Sequence, residues 1–267
     1  MYTSASANPS LTQAFAPISL EELNKKADML RRLDNKYVVD LPVMAGAVAE
    51  FAKHFDVLEI NGRRDFTYET CYFDSAEHEC YFDHHRGRRQ RAKVRIRKYV
   101  DAGICFVEVK LKDKRGVTIK KRRAHDPAKY GVLDQQAHKY IDACFFNLYR
   151  KGFPYELSRV LDMRYRRITL VAKEGGERMT IDNGLHFMNK TTARSVSNDI
   201  FIVETKSANG NGIADKILRS LHRHPTKHCS KYCAGTAILQ TGFKTNNFRP
   251  VLRKLTMLPA RVESLAA

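Results

Sequence analysis

The sequence predicts an α+β domain made mainly of antiparallel strands. Three observations carry that expectation. From about Phe66 the apolar period changes from 3.6 to two, and several two-period segments follow one another with turn residues between them. Helical patterns flank these segments at both ends and interrupt them once. No internal repeat and no Pro- or Ser-rich linker separates two cores, so one domain is the simplest account.

In chain order, residues 1–17 are small, polar and Pro-containing, and predict a frayed tail. Ser19 ahead of Glu21 and Glu22 signals a helix start, with the helix running to about residue 32. Pro42 suits a first helical turn, and Val43, Ala47, Val48 and Phe51 recur at helical spacing up to about residue 54. Strands are expected over 66–73, 91–99, 104–112 and 117–123. The second and third should form a hairpin around Asp101-Ala102-Gly103. A helix over 138–151 is followed by strands over 160–172, 178–182 and 200–206. Helices over 211–223 and 230–241 end the folded region, which is expected to span residues 18–245, with a tail from 246 to 267.

Composition narrows the function classes. The 267 residues are enough for a sizeable core, and 43% hydrophobic against 28% charged is the balance of a soluble globular chain. The longest apolar run, residues 41–49, is far short of the ~20 residues that span a bilayer. The first twenty residues lack the basic-then-apolar pattern of a secretory signal, so the expected setting is the cytoplasm. Six scattered cysteines form no CxxC pair and no disulfide framework. His222, His224, His228, Cys229 and Cys233 offer zinc-type ligands, but their spacing matches no common finger. Forty-seven Lys and Arg against 29 Asp and Glu leave a net charge of +18, which points to a polyanionic partner.

The charge is concentrated. Residues 86–123 hold sixteen Lys and Arg and three acids, which is +13 of the net +18. In residues 91–97 every odd position is cationic and every even position apolar. Alternate side chains of a strand point to opposite faces, so Arg91, Lys93, Arg95 and Arg97 share one face and Ala92, Val94 and Ile96 pack on a core. Glu108, Lys110 and Lys112 likewise share a face, with Val107, Val109 and Leu111 opposite. Like charges side by side destabilise a sheet unless they are solvated or neutralised by an anion. Tyr165 with Arg167, then Arg178 with Thr180 and Asp182, then Glu204 with Lys206 repeat the pattern. If the strands curl together, these groups converge on a groove or tunnel fit for a phosphate chain. Arg would grip oxygens in a planar fork, Lys would supply point charge and a carboxylate would hold a divalent metal.

Taken in order, Arg32-x-Asp34-x-Lys36, Tyr72-Phe73-Asp74, Lys93-x-Arg95-x-Arg97, Glu108-x-Lys110 and Lys121-Arg122-Arg123 resemble the VTC (vacuolar transporter chaperone) domain. Tyr165-x-Arg167, Arg178-x-Thr180-x-Asp182, Glu204-x-Lys206 and Ser230-Lys231-Tyr232 continue the resemblance, which spans about residues 30–240. It implies the triphosphate tunnel fold, an antiparallel barrel-like tunnel with flanking helices. It also implies metal-dependent polyphosphate synthesis from ATP, with Mn2+ or Mg2+. Carried over, it makes Arg95, Arg97, Lys110, Arg167, Arg178 and Lys231 the catalytic cage. Lys36, Lys93, Lys121, Tyr165, Lys206 and Ser230 become substrate contacts, and Glu204 the metal ligand. ATP and polyphosphate or triphosphate are the implied partners. Nucleic acid is disfavoured, since no recognised nucleic-acid motif occurs. Related hydrolases carry an ExExK strand where this chain has Arg32-Leu-Asp34-Asn-Lys36, with one acid instead of two. That departure favours the polymerase over a triphosphatase or polyphosphatase. A non-enzymatic polyanion-binding module is the reading that the net charge alone supports.

Overall fold

The computed structural model describes residues 10–26 and 33–258. Its centre is one antiparallel sheet whose main path uses eight strands. These are β2 (Leu33–Asp40), β4 (Asp65–Asp74), β5 (Ala92–Tyr99), β6 (Ile104–Lys112), β7 (Thr118–His125), β8 (Ser158–Ala172), β9 (Arg178–Met188) and β11 (Ile200–Ser207). Their spatial order is β2-β11-β9-β8-β4-β5-β6-β7. Short strands β1 (Pro17–Ile18), β3 (Phe55–Leu58) and β10 (Ala193–Ser195) pair beside this path. The expected α+β antiparallel architecture is therefore present, with one difference from a barrel: among the described residues β2 and β7 do not pair with each other. The sheet is open but strongly curled. Lys36 of β2 lies near enough to Lys110 of β6 to repel it, although five strands separate them along the path. The segment 226–230 reaches across the opening. Thr226 N donates to Lys36 O (2.7 Å), and the Lys93 ammonium donates to Ser230 Oγ (2.7 Å).

Helices cover the convex face and plug one end of the concave face. Helix α3 (Leu41–His54) starts where Asp40 caps Val43 N and Pro42 occupies the first turn. Its Met44, Ala47 and Phe51 bury against the outward residues Tyr37, Val39, Leu170, Met179 and Val203, together with helix α6 (Ile213–Ser220). Asp215 of α6 is fully buried and accepts from Asn35, Tyr37 and Thr205, which ties β2 to β11. Helix α5 (Gln135–Tyr149) covers Ala92, Val94, Ile96, Val107, Val109 and Leu111. The alternation of residues 91–97 and 107–111 thus has the cause expected of it: the even positions of one strand and the odd positions of the other meet α5. Helix α7 (Lys231–Leu239) packs on the opposite, concave side against Tyr72, Leu161, Met163, Tyr165 and Ile202. A Cβ on Gly235 would stand 2.6 Å from Phe187 Cδ1, so this close approach needs glycine.

Several boundaries differ from the sequence reading. The expected tail up to residue 17 is folded over its described part. Helix α1 (Ser10–Gln13) is followed by β1, and Leu11 and Phe15 are buried in the core. Likewise residues 246–258 are not a tail. Phe248, Val251 and Leu255 are buried, and α8 (Arg249–Leu252) seals the α7 side. In both cases a few large apolar side chains outweigh a polar local composition. Helix α2 is described as Leu20–Lys26; the expected continuation to residue 32 lies outside the described residues. Residues 79–85, where no element was expected, form helix α4. No helix among the described residues is long and apolar enough to cross a membrane.

Candidate functional site

The concave face of the curled sheet gathers most of the charged residues singled out by period. Directly paired residues of an antiparallel ladder share a face, so register decides which side chains meet. Tyr72 pairs with Arg95, Arg95 with Glu108, and Glu108 with Arg122. Lys93 pairs with Lys110, and Lys110 with Lys120. On the other half, Lys36 pairs with Glu204 and Glu204 with Thr180, while Arg167 pairs with Asp182.

Three ion-paired knots hold the arms. Glu108 is 1% exposed and receives Arg95 Nε (2.6 Å) and Lys120 Nζ (2.6 Å), with Arg97 at 3.9 Å. Burial alone would raise its pKa. The surrounding Arg95, Arg97 and Lys120 outweigh that and hold the carboxyl far below the usual range. Fully buried Asp182 accepts both arms of Arg167 (2.6 and 2.7 Å) and the Lys231 ammonium, which again outweigh burial and keep it ionised. Glu204 contacts Lys206 and lies 3.4 Å from Lys36. Desolvation opposes its charge, but Lys36, Lys206 and Arg167 hold it well below the ordinary carboxylate range.

Between these knots are two lysines without a direct carboxylate partner and several unbonded polar groups. Among the described residues neither Lys93 nor Lys110 has a carboxylate within ion-pair distance. Lys110 is exposed within the trough. Desolvation there, reinforced by Lys36 and Lys93, pushes its pKa down to about 7. Arg97 (5% exposed) leaves Nε unbonded, and the buried Tyr165 hydroxyl and Thr180 and Thr70 Oγ1 are also unbonded. Such buried donors are costly without a partner. The arrangement is what a chain of anionic oxygens threaded between the knots would satisfy. Tyr68 stacks on Tyr165 with ring centroids 5.3 Å apart, and the Arg97 and Arg167 guanidinium groups sit over its ring at 5.5 and 5.2 Å.

Helix α7 delivers the last two residues. Ser230 caps it, accepting from Cys233 N (3.4 Å) while also accepting from Lys93. Its position is fixed by fully buried Asp74, whose carboxylate accepts Cys80 N (2.8 Å), Tyr81 N (3.0 Å) and the Tyr232 hydroxyl. One carboxylate therefore ties α4 and α7 to β4.

Two sequence assignments change. Lys121 pairs with Val109, an outward residue, so its side chain lies on the α5 face, where its charge acts on Cys144. The trough instead receives Lys120 and Arg122; the latter sits over the Phe106 ring at 4.9 Å. A run of four cations carries no period, so only ladder register could choose between them. Arg178 lies opposite Lys206, beyond the Thr180–Glu204 pair, and reaches Asn24 of α2 (3.4 Å), which places it at the rim. The sequence reading missed Tyr68 and Thr70, which the two-residue period from Tyr72 could have supplied.

No three His, Cys, Asp or Glu side chains converge as a metal cage among the described residues, and the His222–Cys233 group forms none. A magnesium-type ion needs only one or two carboxylates when phosphate oxygens complete its shell. Glu204, ionised and facing the trough, fits that donor set.

A family model described as the VTC domain matches residues 31–240. No curated protein sequence matches the chain. Among solved structures, a Hippeastrum adenylyl cyclase described as having a dominant triphosphatase activity is similar at 12% identity. The match covers 79% of this chain and 98% of that one, with a TM-score of 0.44. A Bacillus halodurans protein described by similarity to adenylate cyclases is similar at 10% identity, covering 75% and 95%, with a TM-score of 0.44. A Pyrococcus horikoshii protein is similar at 13%, covering 75% and 96%, with a TM-score of 0.41.

Proposed function

The chain belongs to the VTC domain family, and on that premise we propose that it is a cytoplasmic, metal-dependent polyphosphate polymerase that transfers the γ-phosphate of ATP to a growing chain in the trough. The observation that supports this most is the set of unsatisfied buried donors, Arg97 Nε, Tyr165 Oη and Thr180 Oγ1, on the same concave face as Lys93 and Lys110, which have no carboxylate within ion-pair distance among the described residues. A linear polyanion offers oxygens at every step along such a row.

In this reading Lys93, Lys110 and Arg97 bind the phosphate chain and neutralise its charge. Arg95, Arg167 and Lys231 are oriented by Glu108 and Asp182, so their remaining N–H groups are pre-aimed rather than mobile. A loose phosphoryl-transfer transition state needs in-line positioning and charge neutralisation more than a protein nucleophile. Glu204 would hold Mn2+ or Mg2+ together with substrate oxygens; when bound, the ion supplies charge neutralisation at the transferred group. The attacking oxygen is that of a phosphate or chain end, held by the same cations.

Incubation with ATP and Mn2+ or Mg2+, followed by phosphorus NMR, tests the proposal. The expected products are ADP and internal polyphosphate resonances. Orthophosphate alone would mean a hydrolase, and binding without turnover would mean a polyanion-binding module.

A further inference from the structure

Outside the trough, at the end of the hairpin where β5 begins, a cavity of about 290 Å3 opens between the C-terminal end of α4 and the segment that follows α5. Asp83 at its base is 4% exposed, accepts the Tyr155 hydroxyl (3.0 Å) and pairs with Arg88 Nε (3.2 Å). That pair neutralises Arg88. Arg89, Arg91 and Lys151 also line the cavity, and among the described residues none of the three has a carboxylate within ion-pair distance. Three uncompensated cations around one concavity repel one another, and an anion in the cavity relieves that repulsion.

The position of Arg91 gives the cavity its meaning. It stands two residues before Lys93, in the cationic register of Lys93, Arg95 and Arg97. The ladder extends to it, because Lys112 N donates to Arg91 O (3.3 Å). From Arg97 to Arg91 the strand advances about 20 Å at ~3.3 Å per residue. One row of cations thus leads from the buried centre to the outer cavity.

We propose that this cavity, formed by Arg89, Arg91 and Lys151 beside the Asp83–Arg88 pair, is an outer subsite for the distal phosphates of a long inorganic polyphosphate whose other end occupies the trough. The inference rests on the reading of the trough as a phosphate-chain site. It adds length selectivity: a triphosphate fills the trough alone, and a long chain engages both places.

The test compares tripolyphosphate with long-chain polyphosphate by titration calorimetry over a range of salt. The protein variants are wild type, Arg89→Ser with Lys151→Ser, and a charge-matched control, Lys25→Ser with Lys53→Ser. The expected result for the Arg89/Lys151 variant is unchanged tripolyphosphate affinity. Long-chain affinity should fall about tenfold, with a salt slope shallower by about 1 to 2, by analogy with counterion release from nucleic acids. Unchanged long-chain affinity overturns the subsite, as does an equal loss in the control variant or equal losses for both ligands. Displacement of the long chain by single-stranded DNA at equal phosphate concentration overturns the assignment to inorganic polyphosphate. If wild type binds neither phosphate chain, the reading of the trough fails and the subsite with it. Melting temperatures of the three proteins should agree, since the replaced side chains are exposed.

Discussion

Glu204 stands between Lys36 and Lys206, and two roles are open to it there: counter-ion or metal ligand. Replacement by Gln keeps its shape and removes its charge. For a metal ligand, Glu204→Gln should keep the fold and hold polyphosphate at least as tightly, because the trough gains positive charge. Metal-dependent turnover should fall a hundredfold or more, about 2.7 kcal/mol in barrier. Melting temperature, polyphosphate affinity and turnover on one preparation separate the roles: lost stability with retained turnover identifies a counter-ion. Lys110 gives a pH signature. Its pKa is lowered to about 7, so above that pH the folded protein binds fewer protons there than the unfolded chain does, until the ordinary lysine range is reached. Its contribution to stability therefore rises with pH across that window. Anion binding works the other way, since it favours the ammonium and takes up a proton. Tripolyphosphate affinity should weaken as pH rises above 7, and Lys110→Met should flatten that dependence. An unchanged pH profile in the variant would remove Lys110 from the binding site.

Strands and helices show where local patterns suffice and where they do not. Strand β5 is legible because its apolar and cationic residues alternate without a break. Strand β7 is expected as a strand, but its inward face is not legible, because Lys120, Lys121, Arg122 and Arg123 are all cationic and all exposed. Pairing of Lys120 with Lys110 and of Lys121 with Val109 makes a sharp prediction. Lys120→Ala should lower tripolyphosphate affinity severalfold, while Lys121→Ala should leave it within twofold, roughly the difference between a direct phosphate contact and a screened surface charge. Equal effects would mean that the β6–β7 register is not the one described. Helix α7 is legible as a helix from its Ser230 cap. Its seat inside the curl depends on Asp74, which is distant in sequence and gives no periodic signal.

At the scale of the whole molecule, the net charge is +18, and Lys36, Lys93, Lys110, Arg95 and Arg167 crowd one concave face. Self-repulsion there is offset by Glu108, Asp182 and Glu204, but only in part. A bound polyanion should therefore raise the melting temperature, and more so at low salt. Replacing Arg95 and Arg97 together with Ala should weaken long-chain polyphosphate binding and make its salt dependence shallower by about 1 to 2 slope units. An unchanged slope would move the polyanion out of the trough. The family, the antiparallel strands and the inward face of β5 are properties of the sequence itself, because motif order and two-residue alternation are local. So are the cationic character of the partner site and the candidacy of Glu204. Tertiary structure alone decided that β2 and β7 stay unpaired among the described residues, with 226–230 reaching from β2 to β5. It also decided that Lys120 rather than Lys121 faces inward, and that residues 10–17 and 246–258 join the core. Those outcomes depend on ladder register and on contacts between distant residues, such as Lys36 with Thr226, Lys93 with Ser230 and Asp74 with Tyr232, for which no local pattern in the chain codes.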